Sequence, residues 1–287
     1  MRMIIKRNLM LFFRDRANVF FSMLAVIIAI LLYILFLADL MTGAIDAYNL
    51  GATPSDIRLV ISGMILSGTI AIATVTTCLN GAARLVIDRE ETAKDFFVSP
   101  IPRTKLMFGY VLSSGIIGLT MSGVALATTL VYLSISSGSL PTIGDMALLL
   151  ATLLLSVISA NSMVFLLASL LKSRNAFASL GSLVGTLIGF LTGVYIPVGQ
   201  LPNSVSWIVR LFPTSHAASM FRQILASNTL SEIGAPVEIV NEVNYFFGAY
   251  FTIGNLETNF VFSAAFLAAT SVAFYAVSLS LMKKRTF

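Results

Sequence analysis

Charge is what this sequence has least of. Of its 287 residues only 11% are Asp, Glu, Lys or Arg, while 57% are hydrophobic, and the mean hydropathy is +0.92. A soluble domain carries about 25% charged residues; less than half that share cannot cover a water-soluble globule of this size. A soluble enzyme, a nucleic-acid-binding domain and a disordered chain are therefore excluded together. There is one cysteine, Cys78, so no intrachain disulfide can form, and its place in an apolar run marks it as a small core hydrophobe. There is one histidine, His216, so no His pair can hold a catalytic zinc. None of the six lysines sits in a G-x-x-x-x-G-K-[ST] setting, so the chain has no P-loop for ATP and reads as no enzyme by itself. What remains is a polytopic membrane protein.

The charge-free stretches set its architecture, since a spanning helix needs about 20 apolar residues. They predict six helices, at about 17–38, 59–83, 106–133, 146–171, 175–196 and 258–282. The third and fourth are separated by the turn-rich stretch from Ser134 to Pro141. The first is too long, and lacks the small-residue cleavage site, for a removable signal peptide. The fold class is an all-α membrane protein, with residues 1–287 forming one transmembrane domain. Two soluble features interrupt it, a charged segment at 84–105 and an external segment at 197–257.

Lys and Arg orient the spans. Fifteen of the eighteen fall on one side, in the N-terminal arm, the 84–105 segment, Lys172 with Arg174, and the tail Lys283-Lys284-Arg285. Only Arg58, Arg210 and Arg222 fall on the other. This predicts a multi-pass protein of the cell membrane with both termini cytoplasmic. It also accounts for the net charge of +5 without a nucleic-acid partner. No charged residue lies within any predicted span, which argues against a proton antiporter or a voltage sensor.

Residues 88–98 suit a short charged helix, stopped by Ser99-Pro100-Ile101-Pro102 because each proline disfavours helix at the residue before it. Its tip is Phe96-Phe97. The residues alone leave two readings, a docking helix for a partner and an ordinary solvated loop.

The stretch resembles the cytoplasmic coupling segment of type-2 ATP-binding-cassette exporter permeases, roughly E-R-E-x-G-T-x-x-x-L-x-x-(S/T)-P-(I/V)-x-R. Glu90, Thr92, Ser99, Pro100, Ile101 and Arg103 match, while Ala93-Lys94-Asp95 depart from the pattern. Phe13-Arg14-Asp15-Arg16 is similar to the R-D-P element that ends the family's connecting helix. Leu211-Phe212-Pro213-Thr214-Ser215-His216, followed by Arg222, is similar to the element after span five, with His216 where Tyr is common. Pro197 and Leu201-Pro202 match the prolines before it. The resemblance implies an N-terminal interfacial connecting helix ending at Arg14 and Asp15, and ATPase coupling through Glu90, Glu91, Phe96, Phe97 and Arg103. It also implies an external re-entrant segment holding Pro213, His216 and Arg222. The partners implied are two copies of a separate ATPase, with ATP and Mg bound there and no cofactor on this chain, a second permease subunit forming a homodimeric or pseudo-dimeric transmembrane domain, with an identical copy as the expectation, and membrane lipids.

Gly181, Gly185, Gly189 and Gly193 recur every fourth residue along span five and allow close helix approach, within one subunit or between two. In the family, spans two and five surround the central cavity. With the hydroxyls of span two, Thr74 and Thr77 among them, these glycines are candidates for pathway lining or dimer packing. Hydroxyls in membrane helices mostly bond their own backbone, which is the plainer account of the threonines. In the external segment, 203–227 fits a re-entrant hairpin anchored by Trp207. Residues 228–257, with Tyr245-Phe246-Phe247 and Tyr250-Phe251, read as a compact cap or a gate. The function expected is outward transport of an amphiphilic drug, antibiotic, lipid-like toxin or peptide, with multidrug or antibiotic resistance as the biological setting. Export of a lipid-linked polysaccharide, or a non-transporting scaffold or sensor subunit, are the alternatives.

Overall fold

Backbone groups in hydrocarbon must be satisfied within their own segment, which leaves helices as the means of crossing for this chain. A computed structural model describes residues 1–46, 53–91, 103–137, 141–171, 173–227, 230, 236–254 and 256–284. Among them, six helices are long and apolar enough to cross a membrane: Arg16–Gly43, Ser55–Glu90, Lys105–Ser136, Ile143–Leu170, Arg174–Leu191 and Phe260–Leu281.

In chain order, α1 (Arg2–Arg14) precedes α2 (Arg16–Leu32), which widens into a π-helical turn at Tyr33–Leu37 and continues as α3 (Ala38–Asp46). Then come α4 (Pro54–Glu91), α5 (Arg103–Ser137), α6 (Ile143–Leu170) and α7 (Arg174–Leu191). A helical hairpin follows, α8 (Asn203–Leu211) and α9 (Pro213–Arg222), the latter running into a π-helical turn at Gln223–Ser227. A cap of α10 (Val237–Phe247) and the two-residue strands β1 (Thr252–Ile253) and β2 (Leu256–Glu257) leads to the last span, α11 (Phe260–Lys284).

The boundaries have local causes. Asp15 leaves helical geometry and accepts a hydrogen bond from the Asn18 N–H at 3.0 Å, so it ends α1 and caps α2 in one residue. Thr142 and Asp145 form a reciprocal capping box that starts α6. Span five stops at Leu191, several residues before the 196 expected from hydropathy. Thr192 closes the last turn by donating its N–H to the Ile188 carbonyl, and Gly193 takes a positive φ of 69°, reversing the chain before Pro197.

Span two is the axis of the bundle. α4 has 38 residues, roughly 57 Å of helix at 1.5 Å per residue, well beyond a hydrocarbon layer of about 30 Å. Arg84, Asp88, Arg89 and Glu90 thus continue α4 instead of opening a separate soluble segment, with Arg84 and Asp88 paired one turn apart at 2.8 Å. Nearly all of its apolar stretch is buried, against a minority in spans one, five and six. Small residues make that possible. A Cβ on Gly63 would sit 2.8 Å from the Leu225 carbonyl, and one on Gly118 of α5 would sit 2.5 Å from Cys78 Sγ. The buried hydroxyls cost no unpaired donor, because Ser67, Thr69, Thr74 and Thr77 each donate to a carbonyl of α4 three or four residues earlier.

The N-terminal helix is fastened by its own ladder. Ile4, Asn8 and Phe12 are buried at four-residue spacing, and they meet Gly109, Ser113 and Ile117, the same spacing along α5. Asn8 Nδ2 donates to Ser113 Oγ at 3.1 Å. Met3, Met10, Leu11 and Phe13 remain exposed, as an interfacial helix requires.

Candidate coupling junction and transport groove

Three consecutive residues at the end of α4 each hold a different part of the bundle. The Asp88 side chain is 3% exposed and accepts both 2.9 and 2.8 Å bonds from Arg7 Nη2 of α1. It also receives Arg84 Nη2 at 2.8 Å and the Tyr110 hydroxyl of α5 at 2.5 Å. Arg89 Nη1 donates to the carbonyls of Ala168 and Leu171, at 3.3 and 3.2 Å, where α6 ends. Cations are favoured at that helix terminus. Glu90 Oε2 accepts from the Arg174 N–H at 2.9 Å, at the start of α7, where carboxylates are favoured. One turn of α4 therefore ties together α1, α5, α6 and α7, immediately before residues 92–102. Burial alone would lower the pKa of Arg7; its hydrogen bond to Tyr110 and the charge of Asp88 outweigh that and raise it.

Most of this junction is new relative to the sequence reading. Glu90 is in it; Arg7, Arg84, Asp88, Arg89 and Tyr110 were not singled out. The signal available was the unbroken run Asp88-Arg89-Glu90 at the foot of a span, a costly place for charge without partners. Glu91 closes α4 and Arg103 opens α5. Phe96 and Phe97 lie outside the described residues. Arg14 ends α1 and is exposed beside the capping residue Asp15.

The glycines of span five divide. Gly181 and Gly185 have open space where a Cβ would be, and both line a cavity of about 640 Å³ between α2, α4 and α7. Gly189 packs against the Tyr195 ring, and Gly193 lies beyond the helix end at its positive φ. From span two, Thr76 and Asn80 line the cavity. Thr74 and Thr77 are fully buried and bonded within α4.

At the other end, α9 is buried along its whole length. Pro213 occupies its first turn, where a missing N–H is harmless. The His216 ring lies between the Arg210 carbonyl at 2.8 Å and Ser263 Oγ at 3.2 Å, against Phe251 and Phe266. Burial lowers its pKa below the ordinary histidine value, and the hydrogen bond to Arg210 opposes that only in part. Arg222 is 1% exposed and donates to the carbonyls of Met64, Thr192 and Gly248, from α4, the end of α7 and the end of α10. In the cap, burial followed by the Glu257 carboxylate pushes the Tyr245 hydroxyl up to about 12.

The sequence profile of the ABC-2 type transporter family matches residues 1–226. The chain is 27% identical to Nodulation protein J of Bradyrhizobium diazoefficiens over 190 residues, covering 63% of this chain and 68% of that protein. It is also 27% identical to the inner membrane transport permease YhhJ of Escherichia coli over 187 residues, covering 65% of this chain and 48% of that protein. The YhhJ of Shigella flexneri gives the same figures. The match thus spans about half the length of those two permeases.

Proposed function

Because the chain belongs to the ABC-2 type transporter family, a family that works with an ATPase partner, we propose that it is the membrane subunit of an ATP-driven exporter. Its cargo is an amphiphile, of the class that includes drugs, antibiotics, lipid-like toxins and peptides, moved outwards across the cell membrane. Two copies of a separate ATPase supply the energy and a second, identical permease completes the pathway. The observation that carries this reading is the junction at Asp88, Arg89 and Glu90. A force applied to residues 92–102 enters α4 and α5 directly, and the junction distributes it to α1, α6 and α7. The gathering of cations at the same end supports a cytoplasmic location for the junction and for both termini.

Phe96 and Phe97 are the apolar anchors of ATPase docking in this reading. Replacing both with Ala should weaken docking by about 2–4 kcal/mol if they are hot spots. The permease should still insert, yet lose its ATPase on purification or retain ATP turnover that cargo no longer stimulates. Unchanged co-purification and export would remove this segment from the coupling path. For sidedness, Tyr48→Cys and Val240→Cys should react with an impermeant thiol reagent on intact cells. Lys94→Cys should react only after lysis; its labelling in sealed cells would invert the topology.

A further inference from the structure

At the end of the bundle opposite the coupling junction, the outer hairpin and the cap enclose another cavity, of about 420 Å³, a size that holds a small metabolite. It shares no wall residue with the groove between α2, α4 and α7. One wall is a single face of α8, where Asn203, Ser206 and Arg210 stand three and four residues apart. The facing wall is a single face of α10, carrying Glu242, Tyr245 and Phe246. Gly248 takes a φ of 76° at the end of α10 and turns the chain back, so that Tyr250 and Thr252 close the third side.

Arg210 and Glu242 line this one cavity, yet among the described residues they form no ion pair with each other. Arg210 is fixed in place: its Nη1 donates to the Thr252 carbonyl at 2.7 Å, and its guanidinium carbon lies 5.5 Å from the centre of the Trp207 ring. The rest of its planar fork suits a carboxylate. One turn earlier on the same wall, Ser206 is only 5% exposed and its hydroxyl makes no hydrogen bond among the described residues. Buried hydroxyls are nearly always paired, so a partner is due from the cavity side. Across the cavity Glu257 takes the Tyr245 hydroxyl, which leaves Glu242 as the open carboxylate and Tyr245 presenting its ring. The Tyr245 and Tyr250 rings stand 6.4 Å apart, tilted by 59°.

A simple anion here would face Glu242 and a simple cation would face Arg210, while a neutral guest would answer neither charge. A zwitterion answers both. We infer that this cavity binds a free aromatic amino acid. Its carboxylate is received by Arg210 and Ser206, its ammonium by Glu242, and its ring by Tyr245, Phe246 and Tyr250. The ring faces also favour the ammonium directly. A single bound molecule thereby joins α8 to α10, the hairpin to the cap. Binding here is independent of transport, since no residue of the groove or of the coupling junction takes part.

The test is equilibrium binding of tritiated L-phenylalanine to the full chain in phosphatidylcholine nanodiscs, where saturation is expected with a dissociation constant below about 1 mM. L-Phenylalaninamide lacks the carboxylate and N-acetyl-L-phenylalanine lacks the ammonium, so each should compete at least about tenfold less well than phenylalanine, as should L-leucine, which lacks the ring. Glu242→Gln, at an exposed position, should bind phenylalanine and its N-acetyl derivative alike while keeping the preference over phenylalaninamide. Arg210→Gln should do the reverse, and its retained preference over the N-acetyl compound shows that the variant is folded despite losing the bond to Thr252. No saturable binding up to about 10 mM would overturn the inference. Equal competition by phenylalaninamide or by N-acetylphenylalanine would overturn it in favour of a peptide terminus. Equal competition by L-leucine would overturn the aromatic class. Unchanged selectivity in Glu242→Gln would overturn the placement of the ligand between α8 and α10.

Discussion

The two ends of the bundle solve the problem of buried charge in opposite ways. At the basic end a carboxylate, Asp88, is clasped by two arginines and a tyrosine, and its neighbours Arg89 and Glu90 reach helix termini of matching polarity. At the other end a single cation, Arg222, is held by backbone carbonyls from three elements. The first arrangement can be loaded and released by moving one helix, because Arg7 and Arg84 remain about one-third exposed. The second cannot, because the guanidinium fork fixes α4, α7, α9 and the cap together and leaves no solvated alternative. A joint at one end and a lock at the other is the contrast this teaches.

The largest effect expected of any substitution is at the lock. Arg222→Met should remove the donor from the Thr192 and Gly248 carbonyls and the cross-element bond to Met64, destabilise the chain by about 3–5 kcal/mol, and lower the melting temperature of the purified protein. Arg222→Lys should recover little, because one ammonium cannot span three elements in a fork. A near-wild-type melting temperature for either variant would dissolve the contrast. At the joint, Asp88→Ala should cost about 3 kcal/mol by leaving Arg7 and Arg84 facing each other. Its distinctive readout is local, since α1 should detach and a cysteine at Ile4 should become reactive while the melting of the outer hairpin is unchanged.

Glycines sharpen the same comparison at smaller scale. Gly63→Leu should destabilise by about 1–3 kcal/mol, because the Leu225 backbone stands where its side chain must go. Gly185→Leu should leave folding intact, since nothing lies within 4 Å, yet reduce transport by narrowing the groove. Loss of folding in Gly185→Leu would place another helix or subunit against that face.

The smallest effect is titration of His216. Its folded-state pKa lies below the ordinary value, so the unfolded chain binds more protons between the two. The stability it contributes is complete above the unfolded value of about 6.5 and is lost as pH falls below it. Melting near pH 5 should therefore fall relative to pH 7.5, and His216→Phe should flatten that difference.

Much of this was legible from order along the chain. Six charge-free stretches gave six helices, because hydrocarbon rejects charge residue by residue and asks nothing about neighbours. The same rule gathered Lys and Arg at one end. The helix caps at Asp15 and Thr142 are local too, each settled within three residues. The end of span five was misread because hydropathy continues through Val194-Tyr195-Ile196 while a positive φ at Gly193 turns the backbone.

The partners of Asp88 could not be read that way. Arg7 lies 81 positions away from it, Arg89 lies 79 from Ala168, and Arg222 lies 158 from Met64. Which helix faces which is decided by the fit of side chains into gaps that only the assembled bundle creates. Two glycines of equal sequence character, Gly63 and Gly185, thus became a tight crossing and an open wall. The sequence by itself determined how many times the chain crosses and where its charges may stand; the tertiary structure alone decided which of those charges meet, because meeting depends on packing between elements that the chain order leaves far apart.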